Sequence, residues 1–423
     1  MFYLLFIFYL LLFCWLISRI KFFSESGLSS KILISLFLIR VVAALVSGYF
    51  SLYVIPSSDP LGFHLNGIAE YDLLFNNPRE YFTNIFRDTR GNDYAKFFGT
   101  SNSFWNDTKS NVIIKLLSVF DIFSGKNFFI NCLFYNFLVF FGAVALFKVF
   151  IKIFKKSSFA LILCIFILPS ALFFSSMLHR DGLTFLSLSM VIYHLFFLLN
   201  EKKFLWKRVV GILFFLLMIV VLRNFVFITL IPALLAWMIA YYKPKFAFIS
   251  FVSVYIFVGI LFFSSGYLSQ KINLPHFVSD RQNAFIEIAK EGGSSIKIDS
   301  LQPNFVSFLK NAPQALNHSF LRPYIWESKS FFYLPFSLEI ILLEMVFLVF
   351  LFFHKKKITW DPLCWFCLFF SLSMFLVIGY TVPIIGAFVR YRSIYFIFLL
   401  IPVACNIDQE KLRRTSNIKL FKM

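Results

Sequence analysis

Eleven apolar runs, most of them near twenty residues long, recur along the 423 residues, and polar sequence is confined to the intervals between them. A helix needs about 20 predominantly apolar residues to cross a bilayer. Within hydrocarbon every backbone amide must be satisfied by the spanning structure itself, which leaves helices or closed barrels. These runs are continuous, without the alternation of a barrel strand, so they predict helices. They fall at roughly 2–18, 32–55, 128–147, 159–178, 183–199, 209–222, 225–242, 246–264, 331–353, 362–381 and 388–405. At 60% hydrophobic and 14% charged the chain cannot be a water-soluble globule, because soluble domains are nearer half apolar with about a quarter of residues charged. The expected fold is an all-α polytopic membrane protein with about 11 transmembrane helices, organised as one transmembrane domain over 1–423. The opening MFYLLFIFYLLLFCWLI is expected to be the first span rather than a cleaved leader.

The net charge of +19 reports topology rather than nucleic-acid binding. Its bases lie in short clusters between spans: Arg19, Lys21 and Lys31; Lys148 to Lys156; Lys202 to Arg208; Lys243 and Lys245; Lys355 to Lys357; and the tail from Lys411. The positive-inside rule puts those segments in the cytoplasm. Two long polar stretches, 56–127 and 265–330, then face the other side. In the first, NVIIKLLSVFDIF has apolar residues at helical spacing but is too short and charged to span, so it is placed along the interface. FVSFLKNAPQALNHSFLRPYIWE has the same character in the second, with breaks at Pro313 and Pro323. The six cysteines lie in or beside apolar runs, and the Cys364–Cys367 spacing has no second ligand pair, so no disulfide framework or metal knuckle is expected.

Once the cytoplasmic clusters and the two loops have taken their bases, five remain, all arginine: Arg40, Arg180, Arg223, Arg390 and Arg392. Lysine supplies most of the cytoplasmic charge, so the choice of arginine carries information. A guanidinium stays ionised when partly buried, and its planar fork matches phosphate oxygens. All but Arg40 map to the non-cytoplasmic ends of spans, and Arg322 joins them. Singly, each is accounted for by snorkelling. As a cluster at one level they suit an anionic lipid head group, such as a polyprenyl phosphate or pyrophosphate, held between helices. Arg40 sits mid-span and is read as structural, with Glu339 and Glu344 as candidate partners.

Two carboxylates stand at that same level. Asp59 lies in IPSSDPLGFHLNGIAEYD, five residues before His64, and Asp181 in PSALFFSSMLHRDGL, after His179 and Arg180. Acids at the edge of hydrocarbon are costly unless paired or used. Asp–Pro is also a common turn, and HRDG is also a short polar hairpin between spans. In the functional alternative Asp59 is a general base, while Arg180, Arg223, Arg322, Arg390 and Arg392 hold a leaving phosphate. His64 and His179 tune the base, bind phosphate or join the acids around a divalent metal; the sequence leaves the cofactor open. Glu70, Asp72 and Asp93 are read as solvated loop charge.

This arrangement resembles the GT-C membrane glycosyltransferases in three features. The first polar loop carries an acid in SSDPLGFHLNGIAEYD; the next span on that side ends in a second acidic motif, PSALFFSSMLHRDG; and Arg390-Tyr391-Arg392 precedes the last span. The resemblance implies an all-helical fold with its active face away from the cytoplasm, in a bacterial inner membrane. It further implies a catalytic base at Asp59, a supporting acid at Asp181 and lipid-phosphate contacts at Arg390 and Arg392. The partners it implies are the bilayer, a polyprenyl-linked sugar donor and a glycan or lipid-linked acceptor, with no nucleic acid. The chain departs from the family in a helix preceding the Asp59 span and in a single acid at that position. A surface-polysaccharide polymerase or ligase, driven by the arginines, and a flippase for lipid-linked sugars are the alternatives. Trp105, Tyr324 and Trp326 anchor at head-group depth or stack on sugar rings.

Overall fold

The structure, a computed structural model, describes residues 2–55, 58–84, 104–201, 205–268, 273–290, 294–327 and 333–416. Its principal helices are α1 (Phe2–Arg19), α2 (Ser30–Tyr49), α3 (Asp59–Asn76), α4 (Phe104–Ser124), α5 (Phe128–Ile153), α6 (Ser158–Ile162), α7 (Pro169–Ser176), α8 (Arg180–Asn200), α9 (Trp206–Leu222), α10 (Asn224–Tyr242), α11 (Ala247–Leu268), α12 (Leu274–Lys290), α13 (Phe305–Leu316), α14 (Leu334–Phe353), α15 (Pro362–Thr381) and α16 (Ile385–Ala404). Apart from two isolated β-bridges, no strand occurs among the described residues. The protein is therefore an all-helical, multi-pass membrane protein.

Nine described helices are long and apolar enough to cross a bilayer, and a tenth results if Ser158–Ile167 and Pro169–Ser176 form one broken span. The remaining expected span is α9, a 17-residue helix. The break follows from chemistry: Pro169 has no N–H to give, and Leu168 before it is extended (ψ 115).

Two compact units divide the chain. The first combines Met1–Lys152 with Ala171–Phe227, and the second Ile153–Ser170 with Ile228–Met423. In the first unit α5 and α8 touch closely: a Cβ on Gly142 would lie 2.7 Å from Leu186 Cα. Aromatic packing fixes α1 on α5, with Phe13 stacked on Phe137 at 4.3 Å. Outside the spans α3 lies along α4, whose buried stripe runs Ile114, Leu117, Ser118 and Asp121. Those positions are spaced at i, i+3, i+4 and i+7, one face of a helix.

In the second unit α15 and α16 form the core, with Phe370 against Tyr395 and the Ser371 hydroxyl donating to the Tyr395 carbonyl at 3.0 Å. Cys364 and Cys367 are buried and unbridged. The α13 segment, expected along the interface, is packed against a span. Its Ala315 backbone runs so close to Gly379 of α15 that a Cβ there would collide with it. Beyond α13 a π turn, Asn317–Leu321, places Phe320 among Phe347, Phe375 and Phe396 at centroid distances of 5.6, 5.9 and 5.7 Å.

Candidate functional site

The first unit gathers four of the sequence-predicted residues into one chain of contacts. Asp59 is the first residue of α3, where the helix dipole favours a carboxylate, and half of its side-chain surface is exposed. Its Oδ2 lies 3.3 Å from His179 Nε2. His179 is the N-cap of α8, in extended conformation, and its Nδ1 accepts the Asp181 backbone N–H at 3.4 Å. The same Nδ1 stands 2.8 Å from Asp181 Oδ2. Asp181, in the first turn of α8, pairs through Oδ1 with an Arg223 terminal nitrogen. The order is guanidinium, carboxylate, imidazole, carboxylate. The three inner members are buried, His179 and Asp181 at 2% exposed, while the Asp59 end is open to the surface.

The HRDG sequence builds this geometry locally. His179 ends the polar link after α7, its carbonyl accepts the Tyr135 hydroxyl, and that hydroxyl in turn accepts the Leu183 N–H at 3.1 Å. Gly182 is required by the same packing, since a Cβ there would collide with the Ser175 carbonyl and Tyr135. Arg223 occupies the polar joint between α9 and α10, where its C-cap conformation turns the guanidinium back toward α8. Arg180 lies over the Phe63 ring at 5.7 Å, and Phe63 also faces the His179 ring at 5.7 Å, so Arg180 borders the chain.

His64 is placed differently from the other candidates. It is 5% exposed, meets Asn131 at 3.3 Å, and Asn131 donates onward to Asp121 at 2.7 Å. Burial lowers the His64 pKa to about 4, so the ring is neutral. Burial likewise raises that of Asp121, against the opposing hydrogen bonds from Asn131 and Ser124. This buried cluster ties α3, α4 and α5 together. Glu70, expected to be solvated, is instead in a 2.6 Å ion pair with Lys115, each 13% exposed. Asp72 pairs with Lys126 at 2.6 Å, nearer the expectation, and Asp93 lies outside the described residues.

Arg40 is buried and structural as expected, though its partner is neither glutamate proposed for it. It donates to the Ser175 carbonyl at 2.7 Å and hydroxyl at 3.0 Å, bracing the turn that precedes HRDG. The Glu339 carboxylate, in the second unit, accepts the Ser170 N–H and hydroxyl.

The other three arginines belong to the second unit. Arg392 is 2% exposed and donates to the Ser319 carbonyl at 2.8 Å, satisfying backbone that the π turn leaves open. Arg322 stands 3.4 Å from Glu327 and over the Tyr324 ring. Arg390 reaches the neighbouring Tyr391 hydroxyl at 3.5 Å. Among the described residues no group of three His, Cys, Asp or Glu side chains is arranged to hold a metal ion.

Sequence reasoning missed Tyr135, Asn131 and Asp121. The signal for Asp121 was present, an acid on the apolar stripe of α4; Tyr135 and Asn131 sit inside an apolar run where nothing distinguishes them. Scans against family models, curated proteins and solved structures find no match to the chain.

Proposed function

We propose that the protein is a membrane glycosyltransferase that moves a sugar from a polyprenyl phosphate or pyrophosphate carrier to an acceptor hydroxyl, on the extracytoplasmic face, in the assembly of a bacterial surface glycan. One observation carries this reading: a half-exposed carboxylate, Asp59, stands 3.3 Å from His179 at the end of the buried chain His179–Asp181–Arg223. A general base must meet a substrate proton on one side and be oriented on the other, and Asp59 is open on one side and stands against His179 on the other. In the reaction the acceptor O–H bond breaks and its proton passes to an Asp59 oxygen. The oxygen attacks the anomeric carbon, and the bond to the carrier phosphate breaks with its electron pair going to the phosphate. Arg180, beside Phe63, supplies positive charge within the same unit for that leaving group. Cells that depend on this chain for their surface glycan provide the test. Asp59→Asn should lower transfer by about 100- to 10,000-fold, read as loss of glycan by mass spectrometry, while Asp59→Glu retains part of it. Full glycan from Asp59→Asn would overturn the proposal.

A transporter reading draws on the break at Leu168–Pro169, where the Glu339 carboxylate takes the Ser170 N–H and hydroxyl. Transporters place polar groups at such breaks. Cysteines introduced beside Ser170 that react from both sides of the membrane in alternation would favour it; reactivity from one side favours the transferase.

A further inference from the structure

Glu344 stands at the middle of α14, an exposed carboxylate in a candidate span. Among the described residues it is the only exposed charged side chain more than a turn from the end of such a span. It makes no hydrogen bond or ion pair with any of them, and Arg40, its expected partner, is taken up by Ser175. An acid at that depth is costly unless it is paired or faces protein or water. Glu339, earlier on the same helix, meets that requirement by burial against the Ser170 N–H and hydroxyl. The spans α1 and α11 are also little buried, and between their end turns neither carries a charged residue. Glu344 is therefore set apart from the surfaces this chain turns toward lipid.

The helix face beside it is open. Leu338, Ile341, Leu342, Met345, Leu348 and Phe352 are all exposed, opposite the buried Phe336, Ile340 and Leu343. Their spacing of three and four residues is that of a face that packs against a second helix. Along one edge of this face runs an apolar groove of about 840 Å³, whose α14 wall is Glu344, Phe347, Leu348 and Leu351. Phe375, fully buried, lies at its base, and Leu372 of α15 is exposed at its mouth, so the groove opens sideways along the spans. At 1.5 Å per residue the row from Leu338 to Phe352 is about 21 Å long, most of the roughly 30 Å of hydrocarbon. A small molecule fills only the groove; a helix covers the row as well. A lysine or arginine on that helix lays its aliphatic stem in the groove and brings its charge to Glu344.

We propose that this face of α14 docks a transmembrane helix of a partner membrane protein, one that carries a lysine or arginine near mid-span to pair with Glu344. The proposal does not depend on the reaction assigned to Asp59. A second copy of this chain is a poor source of that cation, because Arg40, Lys148 and Arg392, within its spans, are buried in contacts of their own. The test uses the full-length protein, fluorescently labelled, in phosphatidylcholine vesicles with a synthetic polyleucine helix bearing one central lysine, and energy transfer reads binding. The lysine helix should bind about tenfold more tightly than the same helix with leucine at its centre. Glu344→Gln should remove that preference and Glu344→Asp should keep most of it; the exposed, unpartnered side chain makes both changes compatible with folding. In native membranes, a photo-crosslinking phenylalanine analogue in place of Leu348 should join the chain to one membrane protein whose sequenced span holds a basic residue, and Glu344→Gln should abolish the product. Equal binding of the lysine and leucine helices, a cross-linked product of twice the chain's own mass, adducts to lipid alone, or saturable binding of tetraphenylphosphonium in place of the helix would each overturn the proposal.

Discussion

At the residue scale the Asp181–Arg223 pair decides most. Both are buried, and removing one partner from a buried ion pair leaves a charge without compensation, at a cost of about 3–5 kcal/mol. Asp181→Ala should therefore lower the melting temperature in detergent strongly, and Arg223→Met in the same background should recover much of the loss. No recovery would mean the pair is not coupled. His64 gives a prediction in pH. Its folded pKa, about 4, lies below the ordinary value of 6.5. The stability it contributes is present above about 6.5 and is lost as pH falls toward 4, on the order of 3 kcal/mol. Asp121, with its pKa raised, works in the opposite sense, losing stability as pH rises through the carboxylate range. His64→Asn should flatten the acid-side loss between pH 6.5 and 4 in thermal unfolding; an unchanged slope would assign that loss elsewhere. Asp59, His179, Asp181 and Arg223 were legible in the sequence because each interrupts apolar residues. What the sequence withheld was direction: nothing in it says that His179 faces Asp59 while His64 turns to Asn131.

At the element scale hydropathy located the spans, and Pro169 located the break. The π segment after α13 was legible as amphipathic but not as packed into the span layer, because that placement depends on Gly379, more than fifty residues later, lacking a side chain. The short link at HRDG shows the same dependence. Gly182→Ala adds one methyl where the Ser175 carbonyl and Tyr135 already stand. Overpacking of this kind costs about 1–3 kcal/mol. The variant should lose thermal stability and, with the N-cap displaced, the transfer activity proposed for this site, checked by unfolding and glycan yield in parallel. Tyr135→Phe keeps the volume but removes the hydroxyl that joins the His179 carbonyl to the Leu183 N–H, and about 1–3 kcal/mol is expected to go with it.

For the whole molecule the charge pattern predicts orientation. Cysteines introduced near Lys155, Lys243 and Lys356 should react with impermeant reagents from one side of the membrane, and those near Asp72 and Asp299 from the other. Mixed labelling would reverse the face assigned to Asp59. The buried Arg40 reaches beyond the finished fold into how it is made. The α2 segment leaves the ribosome 135 residues ahead of Ser175, the acceptor that neutralises its guanidinium's demand for hydrogen bonds. A lone arginine at mid-helix costs about 2.5–3.5 kcal/mol in translocon-mediated insertion. During biogenesis the segment must therefore either linger at the insertion machinery or sit shallow in the lipid, its integration completed only when the turn before α8 is delivered.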